Sequence, residues 1–483
     1  MATPGMASHP LTRPHAGNFL AFEGLGALLV TALLFVTGTM VQIWLYESIE
    51  PLAFIILVAS PVAMFLWLRR ASAGPELAIF MRTIAAGTLA AGIAAYYRIE
   101  LLDPYQVASD ASSFFELSSL SGKARSIRDL QTITEGAGAV VMWSAFYDFA
   151  DLLGFERLPY VGITMNILMV SLGAVVCLKS ARALYGEDRY RFGRLELFFT
   201  ISGVLWLFAG VHIRDSVIFL CIVVMAHFWI SYLSQLDRAK ILPALIVTGA
   251  MMPALQALRN EFFYMPLLAS SIALLALNFS RGRGDSRFIM LTSAILGTVV
   301  LIVAAVAFGS QISQLFLMGQ DTYGTLSLEE ARAGSLGVSL IIDQILPIRL
   351  MLGVPYLLFY PIPFWIGLQE ASAVQLFKSM NALSFYFIAA YAFVGLIRIC
   401  MKRQLRSPAF VFIAAMPFSL TVMIALTSLE TRHLGAFMGF FFLLGLLPDL
   451  RERSDNRLFR FTLTLVLLAV GMVHFAWSAL RYA

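Results

Sequence analysis

Long apolar runs separated by short polar connections make up most of this chain. At roughly 20 apolar residues for each crossing of a bilayer, the pattern predicts membrane-spanning helices at 19–44, 51–68, 76–97, 160–178, 195–211, 216–234, 241–258, 262–279, 288–308, 380–397, 408–427, 433–448 and 458–479. The predicted fold class is therefore all-α, a polytopic transmembrane helical bundle of about 13 spans, with a range of about 11–14.

Composition supports this class. Hydrophobic residues make up 59% of the 483 positions and charged residues only 13%, whereas a soluble domain carries about 25% charged residues. The net charge of +5 comes from Lys and Arg in short connections between spans, which is typical of topology signals and not of a nucleic-acid groove. Cys177, Cys221 and Cys400 lie in or beside apolar runs and fit no metal spacing, so we expect neither a metal site nor a disulfide.

The polar segment 1–18 lacks an apolar core of its own, and we interpret it as a cytoplasmic tail. The run from Phe19 to Tyr46 is too long for a signal peptide and predicts a retained first span. We expect residues 19–483 to form a single transmembrane domain.

Basic connections fix the predicted orientation, because Lys and Arg accumulate on the cytoplasmic side. Six connections share this character: Arg69-Arg70, Lys179–Arg194, Asp237–Lys240, Arg281–Arg287, Arg398–Arg406 and Arg451–Arg457. These six connections all lie on one side of the membrane only if two segments do not cross it, namely 137–155 and the proline-interrupted segment 346–368. We therefore predict that both are short amphipathic or re-entrant helices, within external excursions near 98–160 and 309–380.

The stretch from His212 to Ser216 places His212, Arg214 and Asp215 between two apolar runs. An intramembrane charge costs about 2.5–3.5 kcal/mol, so such residues usually lie at a boundary, in a cavity or in a pair. A guanidinium beside a helix N-terminus suits a phosphate or pyrophosphate. An ordinary interfacial turn, with Asp215 capping the next helix, is the alternative interpretation.

A second external turn, Glu430-Thr431-Arg432-His433, again pairs Arg with His. Together the two turns would form a phosphate clamp, with Glu430 or His433 as a general base. Taken alone, the second turn would be a loop with a structural salt bridge.

Three further groups are weaker candidates. Asp110 and Glu116 flank an aromatic pair that would suit either a sugar site or an amphipathic surface helix. Arg259 precedes Glu261 in a short turn, a pattern more typical of a structural pair. Residues 320–332, with a capping box at Ser327, would form either a mobile lid or a packed loop.

Several of these stretches, taken in order, resemble bacterial polysaccharide repeat-unit polymerases of the O-antigen and exopolysaccharide group. They are Asp110-Ala-Ser-Ser-Phe-Phe, Arg214-Asp-Ser at the start of a span, Ser335-Leu-Gly-Val-Ser-Leu before a proline-rich segment that ends at Trp365, and the late Glu430-Thr-Arg-His. The resemblance covers most of the chain in arrangement but only short motifs in sequence.

The resemblance implies a metal-independent glycosyl transfer on the periplasmic face of the bacterial inner membrane. The substrates would be oligosaccharide repeat units on undecaprenyl pyrophosphate, and no cofactor is implied. External arginines would hold the pyrophosphate, namely Arg214 and Arg432, with Arg259 and Arg349 as lesser candidates. His433, Glu430, Asp215 or His212 would serve in catalysis. Expected partners are membrane lipid, chain-length regulators and other polysaccharide assembly proteins, without nucleic acid.

Two rival functions stay open at this stage. A glycosyltransferase of the GT-C class would use a polyprenyl-phosphate sugar and place acidic residues in its first external loop, a role that only Asp103 or Asp110 would fill here. A lipid-linked oligosaccharide flippase would show inverted repeats or broken helices in both halves. We find one proline-broken segment and no counterpart in the first half.

Overall fold

A computed structural model describes residues 16–69, 73–108, 110–120, 136–280, 344–361, 363–401, 407–426 and 430–482, with the single positions 130, 134 and 341. Three predictions lie outside these residues: the span 288–308, the Arg281–Arg287 connection and the lid or loop at 320–332. The Ser335 stretch and the tail before residue 16 lie outside them as well.

Helices are the regular structure throughout the described ranges, so the predicted all-α class is confirmed there. In chain order they are α1 Ala16–Tyr46, α2 Glu50–Leu68, α3 Ala73–Ile99, α4 Pro104–Ala108, α5 Asp110–Ser119, α6 Ala137–Leu152, α7 Pro159–Tyr185, α8 Arg189–Ile201, α9 Gly203–Gly210, α10 Asp215–Gln235, α11 Ile241–Leu258, α12 Met265–Ser280, α13 Leu346–Phe359, α14 Ile366–Gln369, α15 Ala373–Met401, α16 Pro408–Leu426, α17 Thr431–Gly435, α18 Met438–Gly445 and α19 Arg453–Tyr482. Short 3₁₀ turns at Arg238–Lys240 and Asn260–Tyr264 flank α11.

Within the described residues, nine helices are long and apolar enough to cross a membrane, and α8 with α9 would make a tenth. The chain is thus a multi-pass membrane protein, but the count of about 13 spans is not confirmed. The predicted span 195–211 is broken at Ser202 with a bend of 58°. The span 433–448 is divided between α17 and α18, and 262–279 is covered by the short helix α12.

Helices α9 and α18 have the hydropathy expected of a membrane span, and for both the physical reason is burial within the protein. Every residue of α9 is buried, and so are nearly all residues of α18. They are apolar because protein surrounds them, and eight residues are too few to cross a bilayer alone, although α9 would be long enough in combination with α8. At the α8–α9 break, the amide of Val204 donates to Oδ1 of Asn381 at 3.3 Å, which satisfies one donor that the bend frees.

Ion pairs join several predicted cytoplasmic connections at one end of the bundle. Arg182 contacts Glu76 at 2.7 Å, and Arg451 contacts Asp188 at 3.3 Å. Arg398, at the end of α15, donates to Ser454 at 3.0 Å. We call this the basic end, and its contacts agree with the single side predicted for these loops.

Helix α7 connects the basic end to the other end. Its residue Gly162 lies against His212, whereas Arg182 lies about 30 Å further along at 1.5 Å per residue. Helix α10 begins at Asp215 and runs for 21 residues, so the following Asp237–Lys240 connection also reaches the basic end. His212 and Asp215 therefore lie at the opposite end of the bundle.

Helix α6 covers the ambiguous segment 137–155, and it is shorter than the candidate spans. Its N-cap residue is Gly136, where an added Cβ would lie 2.9 Å from Nη1 of Arg214. Just beyond its end, the amide of Glu156 donates to Glu50, which opens α2 directly after the α1–α2 turn. Arg98 of α3 bonds Tyr46 in that same region at 2.7 Å. Both ends of α6 thus lie at the end opposite the basic end.

Small residues allow the long helices to approach closely. A Cβ added to Gly38 of α1 would lie 2.5 Å from the backbone nitrogen of Leu89 in α3, so the two backbones are in direct contact there. Such contacts are typical of helix packing in lipid, where no hydrophobic effect drives association. The outward face of α1 keeps large apolar residues such as Leu33 and Trp44 exposed, as a lipid-facing helix requires.

Candidate functional site

Asn166 of α7 holds the turn that carries His212, Arg214 and Asp215. Its Nδ2 donates to the carbonyls of Val211 at 2.9 Å and Ile213 at 3.2 Å. Its Oδ1 accepts from Ser216 at 2.9 Å and from the indole of Trp143 at 3.2 Å. Two of these four bonds satisfy backbone carbonyls of the irregular turn, and the other two anchor the fully buried amide itself. The turn is therefore rigidly positioned.

His212 faces α6 and α7. Its ring lies 4.2 Å from the ring of Trp143, and Nε2 lies 3.3 Å from the hydroxyl of Tyr147. The ring fits because residue 162 is glycine, since a Cβ there would lie 2.1 Å from Nε2. Burial lowers the pKa of His212 to about 3, so the imidazole is neutral. A small cavity of about 50 Å³ beside it is also lined by Arg98 and by residues of α4 and α5.

Arg214 and Asp215 lie at the start of α10. The guanidinium of Arg214 is buried 5.4 Å from the ring centroid of Phe114 on α5, a cation–π contact. Nη1 of Arg259 lies 3.8 Å from Oδ1 of Asp215, so the end of α11 meets the start of α10. Arg259 is only 3% exposed. Arg259 thus contacts Asp215, whereas the Glu261 side chain, its partner in the pair that the sequence indicated, lies outside the described residues.

The second turn caps a helix and forms an ion pair. The Glu430 carboxylate accepts from the amide of Arg432 at 3.3 Å and caps α17. Its Oε1 also lies 3.0 Å from Nζ of Lys378 on α15. The guanidinium of Arg432 donates to the Tyr105 hydroxyl and lies 3.9 Å from Oδ2 of Asp110.

The two turns, far apart in sequence, meet in a single cluster. Arg259, Arg432, Arg214 and Lys378 all act electrostatically on His433, and Asp215, Glu430 and Asp110 act on Arg432. We call these seven charged residues the cationic cluster: Arg214, Arg259, Lys378, Arg432, Asp110, Asp215 and Glu430. Formally it has four cations and three carboxylates, and Asp110 is its exposed member, at 59% of its side-chain surface.

Electrostatics set the protonation of the second turn. Burial and then the surrounding cations, Arg259 first among them, hold the pKa of His433 well below its usual value, so the ring is neutral. For Glu430, burial alone would raise the pKa, but Lys378 and Arg432 outweigh it and the carboxyl pKa is lowered. The turn therefore presents an ionised carboxylate and a neutral imidazole side by side.

Two functional candidates, Lys378 and Tyr105, were missed from the sequence, and a third, Asp103, was considered there only for a GT-C enzyme. Lys378 precedes an apolar run and has the pattern of a residue that reaches to the headgroups, and Tyr105 stands in an undistinguished polar segment. Asp103 is fully buried and accepts from the amides of Ala373 and Tyr105 at 3.0 and 3.1 Å. It ties the first excursion to α15, which is a positioning role that only the folded structure reveals.

Two predicted residues are placed differently from the rest. Glu116 is exposed and lies six positions after Asp110 on α5, about 240° around the helix at 100° per residue, so the two carboxylates do not share a face.

Nε of Arg349 donates to the carbonyl of Ala425, in the last turn of α16, at 3.3 Å. A bond to a C-terminal carbonyl of this kind stabilises a helix end.

Among the described residues, no three His, Cys, Asp or Glu side chains meet in a group that would hold a metal ion. The four cations of the cluster outnumber its three carboxylates by one charge, which favours an anion, and guanidinium groups in particular suit phosphate oxygens. Comparison with protein-family models and with curated proteins gives no match for this chain.

Proposed function

We propose that this chain is a membrane glycosyltransferase that joins oligosaccharide repeat units, carried on undecaprenyl pyrophosphate, into a polysaccharide. The cationic cluster is the observation that carries the proposal. It combines Arg214, Arg259, Lys378 and Arg432 in a largely buried site at one end of a membrane bundle. A lipid with a pyrophosphate head would bring its negative charge to this end of the bundle.

The orientation follows from the charge distribution. The basic end carries the arginine-rich connections and is cytoplasmic by the positive-inside rule. The cationic cluster lies at the opposite end, which we assign to the periplasmic face of the bacterial inner membrane. Polymerisation of lipid-linked repeats on that face requires no nucleotide, in line with a chain that lacks a glycine-rich phosphate loop.

The proposed reaction requires that negative charge on the leaving group be neutralised and that the reactants be positioned. Breaking the bond between a sugar and its pyrophosphate leaves negative charge on the leaving phosphate. In a water-poor site, fixed guanidinium groups stabilise that charge more strongly than solvent does. Arg214, Arg259 and Arg432 hold the pyrophosphate in this proposal, and Lys378 adds a fourth positive charge beside Glu430.

His433 is our candidate for the general base. Its ring is neutral and therefore able to accept a proton from the attacking sugar hydroxyl. A bound pyrophosphate would offset the positive charge of the cations that lower the pKa of His433. Substrate binding would therefore raise this pKa and make the imidazole a stronger base. Glu430, ionised between Lys378 and Arg432, positions the turn by capping α17.

A second candidate function rests on Asp110. This carboxylate is exposed at the edge of the cationic cluster, 3.9 Å from Arg432. In a GT-C enzyme that uses a polyprenyl-monophosphate sugar, Asp110 would be the base. Asp103 suits that role less well, because it is fully buried and accepts three hydrogen bonds.

Surface glycan of cells that make the protein tests the proposal. We expect Arg214→Gln and Arg432→Gln to leave single repeat units unpolymerised, visible as a collapsed ladder on a gel. Arg451→Gln, an exposed arginine at the basic end, is the matched control and keeps the ladder. Loss of all external repeat units would indicate a flippase, and repeats that lack one sugar would indicate a GT-C enzyme. Either result would overturn polymerisation.

A further inference from the structure

A large apolar cavity of about 750 Å³ lies between α13, α15 and α19. Its walls are almost entirely hydrocarbon, with Met351 and Pro355 on α13, Phe393 on α15, and Leu465 and Val466 on α19 among them. Ligand pockets in proteins typically measure about 300–1,000 Å³. The cavity is therefore large enough for a substantial apolar ligand and unsuited to a sugar or phosphate.

The cavity is elongated along α19. Residues of this helix that line it recur from Leu458 to His474 on one face, which corresponds to about 24 Å at 1.5 Å per residue. One leaflet of hydrocarbon is about 15 Å deep, half of a core of about 30 Å. A chain anchored at one face of the membrane and filling this cavity would pass the bilayer midplane, which ordinary phospholipid acyl chains do not.

One wall of the cavity leads to the cationic cluster. Tyr356 lines the cavity, and its ring lies 5.0 Å from that of Tyr360. Nζ of Lys378 lies 5.7 Å from the centroid of Tyr360, and it pairs with Glu430 of the cluster. The two tyrosines thus connect the apolar cavity to the cationic cluster through Lys378, so one lipid would be able to place its chain in the cavity and its anionic head in the cluster.

Lipid has access to the cavity from the side. Met351 and Phe461 line it and are 75% and 62% exposed, so the cavity is open at these two side chains. His474, the most polar lining residue, uses Nε2 to accept from the amide of Phe364, and Nδ1 contacts the carbonyl of Val470 at 2.7 Å. Both ring nitrogens are therefore engaged, so the histidine adds little polarity to the wall.

We propose that this cavity holds the isoprenoid chain of the lipid whose anionic head occupies the cationic cluster. This inference rests on the proposed function, because that function supplies a long-chain lipid pyrophosphate as the substrate. The length of the cavity selects a polyprenyl chain over phospholipid acyl chains, and the Tyr356–Tyr360 wall leads to the cationic cluster, where cations outnumber carboxylates and favour an anionic head. The chain enters laterally, past Met351 and Phe461.

Photocrosslinking tests this placement on the full-length protein in vesicles of phosphatidylethanolamine and phosphatidylglycerol that contain undecaprenyl pyrophosphate. Benzoylphenylalanine is placed at position 465, which lines the cavity, or at position 467, which faces about 200° away on the same helix. We expect position 465 to capture the polyprenyl lipid at least about tenfold more than position 467. Capture of phospholipid, or of a peptide from residues 281–340, would overturn the inference.

Matched tryptophans provide a second measurement. Leu465→Trp fills the cavity, whereas Leu467→Trp adds the same bulk on the lipid face, and the two leucines are similarly exposed at 49% and 52%. We expect binding of undecaprenyl pyrophosphate to weaken at least about fivefold in the first variant only, and equal binding in both would overturn the inference. If position 465 captures the polyprenyl lipid but Arg432→Gln cells still polymerise the repeat units, the proposed function is wrong and the cavity remains the site of the isoprenoid chain. If position 465 does not capture the lipid but Arg432→Gln cells fail to polymerise, only the assignment of the cavity is wrong.

Discussion

The ion pair between Lys378 and Glu430 allows a quantitative test, because it joins α15 to the turn that carries Arg432 and His433. Nζ and Oε1 are 3.0 Å apart, and the two side chains are 9% and 22% exposed. At an effective dielectric constant of about 20, two unit charges at this distance attract by about 5–6 kcal/mol. Much of that attraction is offset by the cost of removing both groups from water.

Lys378→Met leaves the Glu430 carboxylate beside Arg432 alone, and Glu430→Gln leaves Lys378 near three other cations. We expect each single substitution to lower the free energy of unfolding by about 3 kcal/mol, as for other buried pairs that lose one partner. The double variant should lose less than the sum of the two, with a coupling energy of about 2 kcal/mol.

Equilibrium unfolding in detergent micelles measures the four proteins of this double-mutant cycle. Lys378→Arg is the control, because it keeps the positive charge, and we expect it to lose less than either single variant. A coupling energy below about 0.5 kcal/mol would refute the reasoning, since the two charges would then not be paired in the folded protein.

Three further predictions concern the turns themselves. Asn166→Leu should lower the free energy of unfolding by more than about 3 kcal/mol, because several buried hydrogen-bonding groups lose their partner at about 1–3 kcal/mol each; a loss below about 1 kcal/mol would contradict the hydrogen bonds described. Gly162→Ala should weaken thermal stability by pressing a Cβ against His212, while Gly193→Ala, which has open space around it, should not; equal effects would count against the packing. The lowered pKa of Glu430 implies that its contribution to stability is present above its unfolded pKa of about 4.5 and disappears as pH falls through the lower folded value. The stability difference between the native protein and Glu430→Gln should therefore be constant from about pH 8 to about pH 5 and shrink at lower pH, and a loss near neutrality would argue against the assignment.

The sequence predicted the helical class and most long helices, because about 20 consecutive apolar residues have few alternatives to a membrane span. The count of about 13 spans is not confirmed within the described residues, because apolarity also reflects burial in protein. Helices α9 and α18 are as hydrophobic as a span, yet each has eight residues and packs inside the bundle. Hydropathy does not distinguish a lipid environment from a protein interior, and only tertiary packing resolves the two.

The candidate site was partly predictable, because charged residues between apolar runs are costly and need partners. Arg214, Asp215, Glu430, Arg432 and His433 stood out for that reason, and the structure brings them together with Arg259 and Asp110.

The remaining parts of the site depended on the direction and packing of side chains. Lys378 resembles an ordinary interfacial lysine in the sequence, His212 turns toward Trp143, and Glu116 faces away from Asp110. One residue along a helix changes direction by about 100°, so spacing alone did not decide these positions.

Binding of undecaprenyl pyrophosphate to the purified protein tests the central claim most directly. We expect the combined Arg214→Gln and Arg432→Gln variant to raise Kd at least about tenfold, since each charge-assisted hydrogen bond contributes about 1.5–3 kcal/mol. Arg451→Gln at the basic end should bind like the native protein. An unchanged Kd in the double variant, with the protein still folded, would contradict the assignment of the cationic cluster to the lipid pyrophosphate.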